Sequence, residues 1–167
     1  GKTKPHAFSW LVWAVLTGIG FFAQVNDGGG PGAWVTGFSA VVCLVIFVLA
    51  LLRGEKDITK SDWFFLFTAF LVMVFWLLTD DALTAVILVT IIDAAGFTPT
   101  FRKAFHKPFE ETAITYTLSS LKFLIAIIAL ENFSVVTVLY PASLVLMNGL
   151  FVFMVMIRRS QLLPQSS

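Results

Sequence analysis

Six times along its length the chain runs for about 17 to 25 residues with almost no charged side chain, and at 1.5 Å per residue each run is long enough to cross a hydrocarbon core of about 30 Å. Within lipid every backbone N–H and C=O has to be satisfied inside the segment, so runs of this kind are read as helices. They fall at residues 8–25, 33–52, 63–79, 82–104, 112–130 and 134–157. Short loops and a polar tail at 160–167 are all that remains. The whole of 1–167 therefore reads as one all-α, polytopic transmembrane domain in contact with the lipid bilayer. Only 13% of the residues are charged, against roughly 25% in a soluble domain, and the mean hydropathy is +0.91.

The opening residues, GKTKPH, lead straight into a full-length span containing Trp10 and Trp13, without the short apolar core and small-residue cleavage site of a signal peptide. The single cysteine, Cys43, lies within the second span. That excludes an internal disulfide and a cysteine metal cluster, and fits a small buried hydrophobe.

Charge is sorted by loop. Lys2 and Lys4 precede the first span, Arg53, Lys56 and Lys60 follow the second, Arg102, Lys103 and Lys107 follow the fourth, and Arg158 and Arg159 follow the sixth. The alternate loops carry Asp27, Asp80, Asp81 and Glu131 instead. Lys and Arg in short loops stay on the cytoplasmic side, so both visible termini are expected on the cytoplasmic side of a cell (inner) membrane. The formal net charge of +1 thus conceals a strong split between two faces. No basic stripe interleaved with aromatics points to nucleic acid.

A weak internal repeat runs through the chain. KPHAFSWLVWAVLTGI from Lys4 and KPFEETAITYTLSSLK from Lys107 share a basic-Pro entry, and a constant offset pairs Ser9 with Thr112, Trp13 with Tyr116 and Thr17 with Ser120. The first and fifth spans would then run in the same direction, as in parallel repeats. The expected plan is three-one-three: an incomplete first repeat at 1–53, a joining helix at 61–80, and a second repeat at 81–159, with one further helix expected before Gly1. The joining span carries Trp63, Phe64, Phe65, Phe67, Phe70, Phe75 and Trp76 around its whole circumference, which suits a peripheral helix facing lipid on most sides.

Two ionisable side chains fall deep inside the apolar runs. Asp93 lies about 13 Å from the basic end by helical rise, and Lys122 about 16 Å. A lone charge at such depth costs at least a few kcal/mol, so the two are expected to face one another as a gating or register-setting pair. Asn148 and Cys43 sit near the same level on the sixth and second spans. An amide there serves a neutral polar ligand or ties helices together, and Trp13 and Tyr116 offer apolar faces with a polar edge. Gly96 and Pro99 should kink the fourth span and act as a hinge, and Pro141 should kink the sixth. Glu110 and Glu111 are expected to open the fifth helix, where negative charge complements the dipole. DGGGPG at 27–32 reads as a turn, since no Lys-Ser/Thr follows it. His6 and His106 lie apart from any acidic or cysteine cluster, so no metal site is indicated. No Ser, His and Asp set shares one depth, which argues against an enzyme.

A proline near the basic end of a repeat's first helix (GFTPTFRK) and a mid-depth Asn on its third (LMNGL), set in two parallel repeats joined by one helix, resemble the PQ-loop superfamily that includes the SWEET and SemiSWEET sugar transporters. Thr100 stands where the name-giving Gln would follow Pro99, and Cys43 replaces the paired Asn. The resemblance implies that Asn148 lines a ligand cavity and that Pro99 is a hinge. The expected function is a small-solute facilitator or secondary transporter, working by alternating access with a substrate site at Asn148, Trp13 and Tyr116 and needing no cofactor. Its solute would be small and neutral or polar, and a homo-oligomer is compatible with the pattern. The competing reading is a non-transporting membrane scaffold or accessory subunit in which Asp93 and Lys122 only hold helices together.

Overall fold

Gly28 and Gly30 take φ of 72° and 60°, a left-handed backbone that costs glycine nothing, and Pro31 then starts the next helix with its φ already set. At the other acidic turn Asp80 takes φ 52°, and Asp81 accepts from the Thr84 N–H (3.0 Å) and hydroxyl (2.6 Å). These bonds satisfy backbone and side-chain donors in the first turn of the helix that follows, and they hold the Asp81 carboxyl below its ordinary pKa.

In a computed structural model describing residues 7–53 and 60–162, these turns separate six α-helices: α1 (Ala7–Asn26), α2 (Pro31–Arg53), α3 (Lys60–Thr79), α4 (Ala82–His106), α5 (Ala113–Ile128) and α6 (Val135–Leu162). No strand occurs among the described residues. The expectations that fall on Lys2, Lys4, His6, Lys56, residues 163–167 and the side chains of Arg53, Pro99 and Lys103 lie outside them.

Four helices, α1, α2, α4 and α6, are long and apolar enough to cross a membrane, which is compatible with an integral membrane protein. The apolar part of α3 (Trp63–Thr79) and α5 (Ala113–Ile128) are shorter. The fifth helix starts at Ala113, within one residue of the apolar run that begins at 112, and Pro108–Glu110 forms a separate 3₁₀ turn ahead of it. Glu110 therefore does not open α5. It pairs instead with Lys107 at 3.3 Å, both side chains exposed. At the other end of the chain α6 runs on through Ser160 to Leu162, into what reads as tail.

Small and polar groups share the interior with large apolar ones such as Leu16 and Phe151, while many more large apolar side chains cover the exterior, as expected where the solvent is itself apolar. Ala23, Ala85, Gln24, Thr36 and Thr137 are fully buried, whereas Leu52 and Leu78 are 74% and 81% exposed. Gly20 and Gly32 make two of the close approaches. A Cβ on Gly20 would lie 2.6 Å from the Tyr140 ring, and one on Gly32 would run into the backbone at Ala126 of α5 and at Leu130 just beyond it.

The most extensive packing joins α1 to α2 and α5 to α6, with α4 seated on α6. Between the halves α1 touches α4 and α2 touches α5. Helix α3 packs on α1 and α4 through Leu66, Ala69, Val72 and Trp76, a single stripe at helical spacing. Trp63, Phe64 and Phe67 on its other faces stay exposed, so the aromatic spread resolves into one core tryptophan and a largely uncovered outer surface.

At the acidic end the α1–α2 and α5–α6 connections are bonded to each other. Gln24 Nε2 donates to the Thr137 carbonyl (2.7 Å), Asn132 Nδ2 to the Asp27 carbonyl (2.7 Å), the Ser134 hydroxyl to the Asp27 carboxylate, and the Gly32 N–H to the Ala129 carbonyl (3.0 Å). At the basic end Arg158 and Arg159 bond within their own half. Arg158 donates to the Phe105 carbonyl (3.1 Å), and Arg159 to those of Pro108 (3.0 Å) and Glu111 (2.6 Å). Cross-half bonding of this kind at the acidic end positions the site described next.

Candidate functional site

Between the two halves lies a cavity of about 610 Å³, walled by α1, α2, α4, α5 and α6. Glu111, Thr112 and Trp10 mark its basic end, and Tyr140, Thr17 and Ser39 its inner reaches. The sequence-predicted candidates Trp13, Tyr116, Asn148, Asp93 and Lys122 all line it, and so does Cys43.

Trp13 and Tyr116 come from the matching faces of α1 and α5. Trp13 stands edge-on to Trp10, with ring centroids 5.2 Å apart, and Tyr116 stacks on Phe151 at 4.0 Å. Each ring is held by an aromatic neighbour while part of it stays open, since both residues are only half-buried. Their offset partners Thr17 and Ser120 diverge: Thr17 lines the cavity, but Ser120 donates to the Val145 carbonyl of α6 (3.1 Å) and is spent on packing.

Asn148 is 4% exposed, and its Nδ2 donates to the Leu144 carbonyl one turn back (2.7 Å). Among the described residues its amide makes no bond to a neighbouring helix, which an interhelical tie would require.

Asp93 and Lys122 share the cavity without forming an ion pair among the described residues. Lys122 Nζ donates to Ser39 Oγ of α2 (2.9 Å) and lies 4.3 Å from the Phe123 ring centroid. Ser39 in turn donates to the Val35 carbonyl (2.7 Å), so the hydroxyl accepts from the lysine and passes the polarity to the backbone. Asp93 is 3% exposed, and its Oδ2 has no hydrogen-bond partner among the described residues. Equal depth brought the two groups to one chamber. A serine closer to the amine took the bond that depth alone assigned to the carboxylate.

The second group without a partner in this wall is the Tyr140 hydroxyl, on a side chain that is fully buried. Ser39 and Tyr140 were missed by sequence reasoning. A hydroxyl in an apolar run was the available signal for both, and it does not distinguish a cavity wall from plain packing. Helix α4 continues through Gly96 and the backbone at Pro99 to His106, and a Cβ on Gly96 would meet nothing within 4 Å. Gly96 is therefore not needed for packing. Helix α6 likewise continues through Pro141.

Comparison with protein-family models, curated proteins and solved structures finds no match to this chain.

Proposed function

We propose that the chain is a small-solute transporter that binds its solute near mid-membrane and works by alternating access. The carrying observation is one cavity of about 610 Å³ that gathers Trp13, Tyr116 and Asn148 from three helices of both halves. Its size falls in the range of about 300–1,000 Å³ usual for small-molecule sites. A scaffold protein has no use for a chamber of this size with polar groups in its wall, because each such group costs free energy unless water or a ligand meets it. The bonds that join the halves at the acidic end, with a cavity wall that reaches Trp10, Glu111 and Thr112 at the basic end, support a carrier closed on the acidic side. On this reading all six helices span the bilayer, α3 joins two parallel repeats, and the basic loops and C-terminus face the cytoplasm. The order α4 on α6 on α5 supports a three-helix second repeat, as the resemblance to the PQ-loop superfamily implies.

Cys43 offers a direct test, being the sole cysteine and part of the cavity wall. In oriented vesicles holding the full chain, a membrane-impermeant methanethiosulfonate added to the side of the basic loops should modify it, and the same reagent added to the other side should not. Failure to modify Cys43 from either side would refute a solvent-reached cavity.

A further inference from the structure

Asp93 and Lys122 lie in one cavity wall, yet neither neutralises the other. Lys122 holds Ser39, and the Asp93 carboxylate keeps an oxygen without a hydrogen-bond partner among the described residues, as does Tyr140 beside it in the wall. A buried polar group left unmatched costs free energy, and a buried charge costs more. A ligand that completes this wall must therefore bring a cation toward Asp93 and an anion toward Lys122. We propose that the transported solute is a small zwitterion, carrying an ammonium and a carboxylate on one short frame, as a free α-amino acid does.

Charge balance separates this class from its rivals. One carboxylate and one amine leave the deep part of the cavity neutral, so a zwitterion enters without adding net charge. A plain carboxylic anion would meet Lys122 and Ser39 but leave Asp93 more exposed to like charge. An amine alone would satisfy Asp93 and face Lys122. A sugar would offer hydroxyls to Asn148 and Tyr140 while leaving both ionic groups in low dielectric without a counter-charge. The remaining wall favours an apolar side chain on the solute, since Phe97, Phe123, Leu144, Trp13 and Tyr116 line it, with the Phe123 ring 4.3 Å from Lys122 Nζ. Ser39 positions the amine, because its hydroxyl is anchored to the Val35 carbonyl and fixes where Nζ points. The inference rests on the transport reading and goes beyond it in naming the solute's chemistry.

The test uses the full chain in lipid nanodiscs and reads protection of Cys43 from the same thiol reagent. The probes are L-alanine, L-leucine and L-phenylalanine, together with two single-charge analogues of leucine, isocaproate and isoamylamine, and glucose as a neutral polyol. At least one amino acid should protect Cys43 at a concentration tenfold or more below that needed by either single-charge analogue. D93N should reduce leucine to the level of isocaproate, and K122M should reduce it to that of isoamylamine. Should either variant fail to fold, the analogue series on the unaltered chain decides the matter alone. Protection by glucose, or an accessible Cys43 that no amino acid protects, overturns the zwitterion class while leaving transport standing. A Cys43 that the reagent never reaches overturns both.

Discussion

Changing glycine to alanine at two positions should have opposite effects, and the contrast measures how closely α2 approaches α5. At Gly32 an added Cβ would lie 2.8 Å from the Leu130 backbone nitrogen and 2.9 Å from Leu130 Cδ2, with the Ala126 carbonyl oxygen closer still. Ordinary contact begins near 3.4 Å, so the shortfall is about 0.6 Å or more. Backbone cannot step aside as a flexible side chain can. The helices have to separate, which strains the Gly32 to Ala129 hydrogen bond at 3.0 Å. Overpacking of this kind costs about 1–3 kcal/mol. Against it stands the gain of about 0.5–1 kcal/mol that alanine brings to a helix interior; this is smaller at the second residue of α2. G32A should therefore be destabilising by about 1–2 kcal/mol, a fall in melting temperature of several degrees. Gly18 in mid-α1 has nothing within 4 Å of its Cβ position. G18A should keep the helix gain and raise the melting temperature by about 2–4 °C. Thermal unfolding in detergent, followed by tryptophan fluorescence, compares the two. Equal shifts, or a G32A protein as stable as the parent, would refute the close α2–α5 approach on which one wall of the cavity depends.

Other consequences can be checked with single changes. A Ser39→Ala, Lys122→Met double-mutant cycle should show a coupling of about 1.5–3 kcal/mol, the usual worth of a hydrogen bond to a charged group, whereas the Asp93/Lys122 cycle should show less; a larger Asp93/Lys122 coupling would restore the direct ion pair. G96A fits without contact and should raise the melting temperature, so a fall in solute counterflow at the same time would identify a hinge, and unchanged counterflow would dismiss one. Because hydrogen bonds from Thr84 lower the Asp81 pKa in the folded chain, its stabilising contribution is full above the unfolded carboxylate value and fades as pH falls through the lowered folded one. Melting temperature in D81A should accordingly lose part of the acid-side decline seen in the parent, and an identical decline in both would remove Asp81 from the account.

The helices themselves were legible because their cause is local. Runs 8–25 and 82–104 differ from α1 (Ala7–Asn26) and α4 (Ala82–His106) by no more than two residues at an end, since apolar length, the glycine turn at 28–30 and the Asp81 cap are all written in adjacent residues. Where a boundary failed, a local competitor had won. The prolyl 3₁₀ turn at 108–110 kept Glu110 out of α5, and α6 ran past its apolar stretch to Leu162.

Depth along a helix is also a local quantity, because it follows from rise per residue, and so Asp93, Lys122, Trp13, Tyr116 and Asn148 could be set at related levels and were found around one cavity. Depth says nothing about rotation around the axis or about which neighbour comes within 3 Å. Tertiary packing decided those matters: it gave Lys122 to Ser39, turned the Asn148 amide back onto its own helix, and left Asp93 and Tyr140 in the wall with oxygens unmatched among the described residues. It also decided that the halves are tied by Gln24, Asp27 and Asn132 at the acidic end and that a chamber lies between them. The physical reason is range. Hydropathy and helical rise act along one chain segment, whereas a hydrogen bond between helices depends on the mutual orientation of groups some eighty residues apart.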